Sequence, residues 1–268
     1  MTSGTQYVGF QVAGLPRGGK ALTLRPPVTE PAHGVVRMSM NFEQARHNMV
    51  EQQVRPWEVF EPRVLELLEK IHREDFVPAR YRKLALADLE IPLPEGQRMM
   101  KPLVEARMLQ ALDIQPGEHV LEIGTGSSFI TACLHHLGGE VLSVELHPAL
   151  HERAARKLSD AGIPLAAEGT AGVELLCADA LRPDFIQGRL FDVVVVTGAV
   201  WRIPEHFKHL LKLDGRLFAI EGEPPVMEAA LLRRVGEAEW ESRFLFETEL
   251  DWLQGAEKPT NFKLQEST

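Results

Sequence analysis

The stretch Val120-Leu121-Glu122-Ile123-Gly124-Thr125-Gly126-Ser127-Ser128-Phe129 decides the fold class. An apolar strand runs straight into Gly-x-Gly, and a helix-length apolar segment follows. Glycines there let the backbone turn tightly and approach a ligand closely. A dinucleotide fingerprint would place a third glycine where Phe129 stands. Pyrophosphate recognition uses exposed amides at a helix N-terminus. A cofactor with an amino-acid tail instead needs partners for a carboxylate and an ammonium. Glu122, inside the strand, is placed either to organise the turn or to meet that ammonium.

Outward from this turn, strand and helix patterns alternate. Strands are expected at residues 119–123, 140–145, 174–178, 191–197 and 215–221, with helices at 129–137, 148–161 and 204–211. Such alternation predicts an α/β fold: a Rossmann-like, mostly parallel sheet with right-handed crossovers and helices on both faces. Beyond Pro225 the pattern predicts a helix at 226–233. Strands are expected near 240–247 and in the last twenty residues, extending the sheet as an antiparallel edge.

Upstream, Asn41 is a candidate helix cap with Gln44 three residues on, and Arg55-Pro56 closes that helix. Val64, Leu65, Leu67, Leu68 and Ile71 have helical spacing, and a third helix is expected from Pro102 to Leu112. Residues 40–116 therefore read as an N-terminal helical segment with a loop, and residues 117–268 as the core with C-terminal strands. Residues 1–39 differ. They carry Arg17, Lys20, Arg25 and Arg37 against Glu30, so 4 − 1 = +3, leaving −12 of the chain's −9 to the rest. They read as a flexible tail or as a mis-assigned start.

Four strand ends gather the candidate cofactor residues. The turn supplies Glu122, Gly124, Thr125, Gly126, Ser127 and Ser128. Glu145, 21 positions past Gly124, ends the next strand beside Leu146 and can accept both hydroxyls of a ribose. Asp179, followed by Ala180, can accept from an adenine amino group. Thr197 ends the strand that starts at Phe191-Asp192. Open α/β sheets bind ligands at such ends. Taken alone, the Gly-x-Gly reads as a tight turn, Glu145 as a solvated strand end and Asp179 as a helix cap. Together, in this order, they predict an S-adenosyl-L-methionine site and a methyltransferase, with S-adenosyl-L-homocysteine as product. A nicotinamide-dependent reductase is the competing reading, but the third glycine and a Tyr-x-x-x-Lys pair are missing.

The chain has 268 residues, 44% hydrophobic and 25% charged, as in a soluble globular protein. Its net charge of −9 disfavours phosphate backbones, so no nucleic-acid partner is expected. No run approaches the length of a membrane span. Cys133 and Cys177 read as small buried hydrophobes of a reducing compartment, hence a cytoplasmic location. The histidines, His135-His136 included, lack the spacing of a metal site. A monomer is expected.

From about residue 40 to 220 the chain resembles the protein-L-isoaspartate O-methyltransferase family. The resemblance rests on Arg73-Glu74-Asp75-Phe76-Val77-Pro78 with Tyr81, on Glu95-Gly96-Gln97 with Pro102, and on the Gly124 turn. It extends through Phe191-Asp192, Thr197-Gly198-Ala199, Ile203-Pro204 and residues 211–217. It implies methylation of the carboxylate of an abnormal aspartyl residue in a peptide or protein, by in-line displacement on aligned partners. A small carboxylate is the other acceptor considered. The family's loop reads Gly-Gln-Thr-Ile-Ser-x-Pro, with the serine implicated in catalysis. Here it reads Gly96-Gln97-Arg98-Met99-Met100-Lys101-Pro102, so Met100 falls at the serine and no hydroxyl donor remains. Three expectations stay open. Lys101 or Arg98 binds the acceptor carboxylate by charge. Met99 and Met100 pack as an apolar lid. Or Met99, Met100, Pro102, Leu103 and Val200 form a pocket for a different acceptor. A non-catalytic cofactor-binding protein is the remaining alternative.

Overall fold

The computed structural model describes residues 40–166 and 172–256. The proposed tail 1–39 lies outside them, as do the last twelve of the twenty C-terminal residues.

Asn41 opens helix α1 (Phe42–Met49) by accepting the Gln44 backbone N–H at 3.1 Å. The Gln44 side chain turns to Asn48 instead, so only half of a capping box forms. A π-helical turn (Val50–Val54) and a short 3₁₀ turn at Pro56 end the segment. Helix α2 (Pro62–Lys70) starts with proline at its first position, where the missing N–H costs nothing. It buries Val64, Leu65, Leu67 and Leu68 on one face. Helix α3 (Arg73–Phe76) is a single turn, and β1 (Ile91–Pro92) pairs with β2 (Arg98–Met99) to hold the loop between them. Helix α4 (Pro102–Leu112) matches its expected range.

The core then follows as β3 (His119–Ile123), α5 (Phe129–His136), β4 (Glu140–Glu145), α6 (Pro148–Asp160), β5 (Glu174–Cys177), β6 (Phe191–Val200), α7 (Glu205–His209), β7 (Leu211–Glu223), β8 (Val226–Arg234) and β9 (Trp240–Thr248). The seven-stranded sheet has the order β5-β4-β3-β6-β7-β8-β9. Its first five strands are parallel, and β8 and β9 are antiparallel. The order reverses at β3, which puts a crevice at the carboxyl ends of β3 and β6.

Parallel strands covered on both faces read as apolar runs, and their side chains still alternate between faces. Val193 and Val195 join Val120 in the core layer that also holds α1, α2, α4 and α5 residues. Val194 and Val196 join Leu121 and Ile123 in a second layer with Phe207 of α7.

Four expectations change. Residues 226–233 form strand β8 rather than a helix. Met-Glu-Ala-Ala-Leu-Leu has good helix formers, but pairing with β7 on one side and β9 on the other overrides local propensity. Helix α7 stops at His209, because Leu211 already pairs with Phe191 at the start of β7. The described part of the C-terminal twenty adds no edge strand. It folds back to a single parallel bridge, Trp252 with Ala199. Cys133 is buried as expected, but Cys177 is exposed at the end of β5, the outermost parallel strand.

Candidate active site

The cleft opens at the ends of β3, β4, β5 and β6. Gly124 sits at φ +98°, and a Cβ there would come within 2.5 Å of Thr197 Oγ1. Only glycine permits both the conformation and the contact. The Thr197 hydroxyl lies 3.0 Å from the Ile123 carbonyl and 2.5 Å from that of Gly124, tying the end of β6 to the turn. Gly126 donates its N–H to Glu145 Oε2 at 2.8 Å, and His147 donates to Oε1 at 3.0 Å. Glu145 is only 4% exposed, so these amides orient the carboxylate at the cleft wall. Each oxygen keeps a lone pair for a ligand. Asp179 lines the same wall, and its Oδ1 accepts the Leu181 N–H at 3.0 Å.

Behind the turn lies a closed polar cluster. Glu122, with 0% exposure, accepts from Thr131 Oγ1 at 2.5 Å and from Ser143 Oγ at 2.6 Å, both on Oε2. Thr125 Oγ1 lies 2.6 Å from Ser143 Oγ, so the cluster reaches the Gly124 turn. Glu122 Oε1 has no hydrogen-bond partner. Burial pushes this carboxyl up to about 8, against the pull of Ser143 and Thr131 and with the help of Glu145 nearby. At neutral pH it is mainly a neutral acid bracing the turn.

A second buried acid supports the loop. Arg73 donates Nε to Glu105 Oε2 at 2.8 Å and Nη2 to the Met100 carbonyl at 2.6 Å, and it also bonds the Ala85 carbonyl. Burial raises Glu105 to about 7 although Arg73 pulls it down. Arg73 thus joins α3, α4 and the Met100 loop.

The roof comes from two separate segments. Gln97 and Arg98 cover one side, and residues 250–254 cover the other. This C-terminal strap is held by backbone bonds to β6: Ala199 N–H to the Asp251 carbonyl at 2.9 Å, and Leu253 N–H to the Ala199 carbonyl at 2.8 Å. A Cβ on Gly198 would meet the Leu253 side chain at 2.6 Å, so glycine there lets the strap dock. Arg98 Nε reaches Asp251 Oδ2 at 3.1 Å, and its Nη1 reaches Glu90 Oε2 at 3.5 Å. Met99 and Met100 are buried beneath, lining a small chamber with Glu105, Glu122, Thr125 and Ser127.

A family model described as protein-L-isoaspartate(D-aspartate) O-methyltransferase matches residues 44–238. The chain belongs to that family. A Rhodopseudomonas palustris protein-L-isoaspartate O-methyltransferase is 34% identical over 210 residues, which are 78% of this chain and 93% of the relative. Protein-L-isoaspartate O-methyltransferase 2 of an Anaeromyxobacter species is 36% identical over 190 residues, 71% of this chain and 74% of the relative. Among solved structures, a Plasmodium falciparum beta-aspartate methyltransferase in complex with S-adenosyl-L-homocysteine shares the fold. Its TM-score is 0.67 at 15% identity, over 80% of this chain and 99% of that one. The fold is therefore that of the Rossmann-like, S-adenosyl-L-methionine-dependent O-methyltransferases.

Within this family frame, Gly124, Gly126, Glu145, Leu146, Asp179, Ala180 and Thr197 line one cleft. Thr125, Ser127 and Glu122 line the chamber beside it. Ser128 lines neither. At φ +64° its hydroxyl turns back to the Ser127 carbonyl at 2.6 Å, and the residue is fully buried. Val200 faces the second core layer rather than the cleft, because it follows Ala199 and strand side chains alternate. Pro102 and Leu103, at the start of α4, and Lys101, its cap, line neither space. The cleft residues missed from sequence include His147, Leu150 and Leu181, near the expected strand ends, and the distant segment Leu250 to Gln254. No motif marks that segment, which reaches the cleft through its backbone bonds to Ala199 and the Arg98–Asp251 pair. A larger groove of about 930 Å³ between α4 and β8–β9 holds none of the candidate residues.

No helix among the described residues is long and apolar enough to cross a membrane.

Proposed function

We propose that this chain methylates the freed carboxylate of isoaspartyl residues in damaged proteins, with S-adenosyl-L-methionine as donor. The observation that carries this reading is the family match over residues 44–238, which spans the glycine turn, Glu145, Asp179 and Thr197. The residues present suit the donor. Gly124 leaves an approach that a Cβ would fill, Glu145 offers two oriented lone pairs, and Asp179 is a further acceptor. When bound, the donor supplies an electrophilic methyl on a positively charged sulfur. The acceptor carboxylate is already ionised near neutral pH, so the chain needs no general base. One carboxylate oxygen gives its electron pair to the methyl carbon as the carbon–sulfur bond breaks, leaving a methyl ester and a neutral thioether. The task of the chain is to align these partners and keep water out. Glu145 and Asp179 hold the nucleoside, the braced turn fixes the tail, and the two-part roof covers the reacting groups.

Buried Met99 and Met100, where the family loop carries a serine, favour a second reading in which the acceptor is a different carboxylate. One assay separates the two. Labelled methyl transfer is measured to an isoaspartyl peptide and to its normal aspartyl twin. Repair activity gives transfer to the isoaspartyl peptide alone. Confirmed donor binding without transfer to it overturns the repair reading and leaves the second.

A further inference from the structure

The loop has lost its hydroxyl, yet a carboxylate acceptor still needs a partner in the site. Among the described residues that line the cleft or the adjoining chamber, Arg98 is the one lysine or arginine, and it borders both spaces. Lys101, the other cation of the loop, borders neither. Arg98 already holds a carboxylate: Asp251 of the strap sits 3.1 Å from its Nε. The pair is half exposed, 50% for Arg98 and 64% for Asp251, so separating it costs little. A guanidinium presents several N–H groups in a fixed fork and can hold one carboxylate oxygen while the other stays free.

We propose that Arg98 receives the acceptor carboxylate, and that Asp251 occupies this place until the acceptor displaces it. The inference rests on the repair reading above and adds the residue that replaces the serine. Asp251 is thus an internal competitor. It links the two parts of the roof when no acceptor is present, and its release parts the loop from the strap when a substrate enters, while the strap stays bonded to β6. Glu90, 3.5 Å from Nη1, holds the guanidinium in position from the other side. The arrangement selects for an anionic acceptor: a neutral side chain cannot displace Asp251 from a cation.

The test uses the full-length protein saturated with donor. KM and kcat are measured for an isoaspartyl peptide with Arg98→Gln, Arg98→Lys and Asp251→Asn. In parallel, calorimetry follows binding of the same peptide to the protein loaded with S-adenosyl-L-homocysteine. Arg98→Gln should raise KM at least tenfold, with a smaller change in kcat and unchanged donor affinity. Arg98→Lys should recover part of that loss. Asp251→Asn should lower KM about threefold, and this gain should vanish in the Arg98→Gln background. A purely structural role for Arg98 would move kcat and donor affinity together with KM and would not depend on Asp251. Active wild-type protein with KM unchanged by Arg98→Gln would overturn this inference and leave repair standing. Peptide binding that depends on Arg98, without methyl transfer, would overturn repair and keep the carboxylate site. Neither binding nor transfer would overturn both.

Discussion

The floor of the cleft and its roof are held by different means. On the floor, Glu145 and Glu122 are almost entirely buried, and each accepts two hydrogen bonds from neighbours fixed in strands, at strand ends or in helix α5. On the roof, Arg98 and Asp251 meet as an exposed pair carried on two segments far apart in sequence. Buried groups held by fixed donors make a rigid cradle, whereas exposed ion pairs hold a position weakly and can exchange partners. The contrast suits a cofactor of constant shape below and a variable peptide above.

Arg73 ties α3 and α4 to the Met100 loop that carries Arg98, so its loss should cause the largest effect. Arg73→Ala strands Glu105 in the interior and releases the Met100 carbonyl. Removing one partner of a buried ion pair costs roughly 3–5 kcal/mol, and urea unfolding should show a loss of that size. A loss under about 1 kcal/mol would mean that Arg73 does not hold the loop to α4.

Next in size is the pH response of the floor. Glu122 has a carboxyl raised to about 8 in the folded chain, above the ordinary 4.5. The folded state therefore binds the proton more tightly than the unfolded one. This contribution is fully present below pH 4.5 and is lost as pH rises through 8. The fall is at most roughly 1.4 kcal/mol per pH unit for one proton. Glu122→Gln should flatten the decline between pH 5 and pH 8 in denaturation midpoints. Glu105, raised to about 7, contributes in the same direction and leaves a residual slope. An unaltered profile in Glu122→Gln would show that the acid is ionised when buried.

The two acids proposed to hold the cofactor should then differ from each other. Asp179→Ala should weaken donor binding by about 1–3 kcal/mol, the range for a lost charged hydrogen bond, with little change in stability. Glu145→Ala should weaken binding similarly and also destabilise the fold, because the Gly126 and His147 amides lose their acceptor. Calorimetry paired with thermal melts distinguishes them. Unchanged donor affinity in both would remove these residues from the site.

The smallest stability effect belongs to the roof. Arg98→Gln breaks only exposed pairs and should shift unfolding by no more than roughly 0.5 kcal/mol. A larger cost would place Arg98 with the rigid floor and remove the contrast.

Local chemistry made part of this molecule legible. The ranges of β3, β4 and α4 follow from apolar runs bounded by Gly and Pro, and the glycine turn needs φ values that few other residues adopt. Glu145 and Asp179 were visible because ligands gather at strand ends in this topology. Strand β8 was misread because its helix-forming residues say nothing of the two partners that pair with it. Val200 and Ser128 were misplaced because spacing along a chain does not show which face a side chain takes next to a bulge or a left-handed turn. The roles of Glu122 and Arg73 were hidden for a related reason. Whether a buried charge is neutral, paired or stranded depends on groups brought to it by other segments.

The sequence by itself determined the α/β class, the methyltransferase turn, the strand ends proposed to hold the cofactor and the absence of a loop serine. These rest on periodicity, on backbone conformations open mainly to glycine, and on residue chemistry, all of which act over a few positions. Only the tertiary structure decided that Glu122 is an internal acid behind the turn, that Arg73 clamps the Met100 loop, and that residues 250–254 close the cleft against Arg98. Each depends on contacts between different segments, from 9 positions apart for Glu122 and Thr131 to 153 (251 − 98) for Arg98 and Asp251. Such contacts are set by how the whole sheet and its cover pack, and no local pattern encodes them.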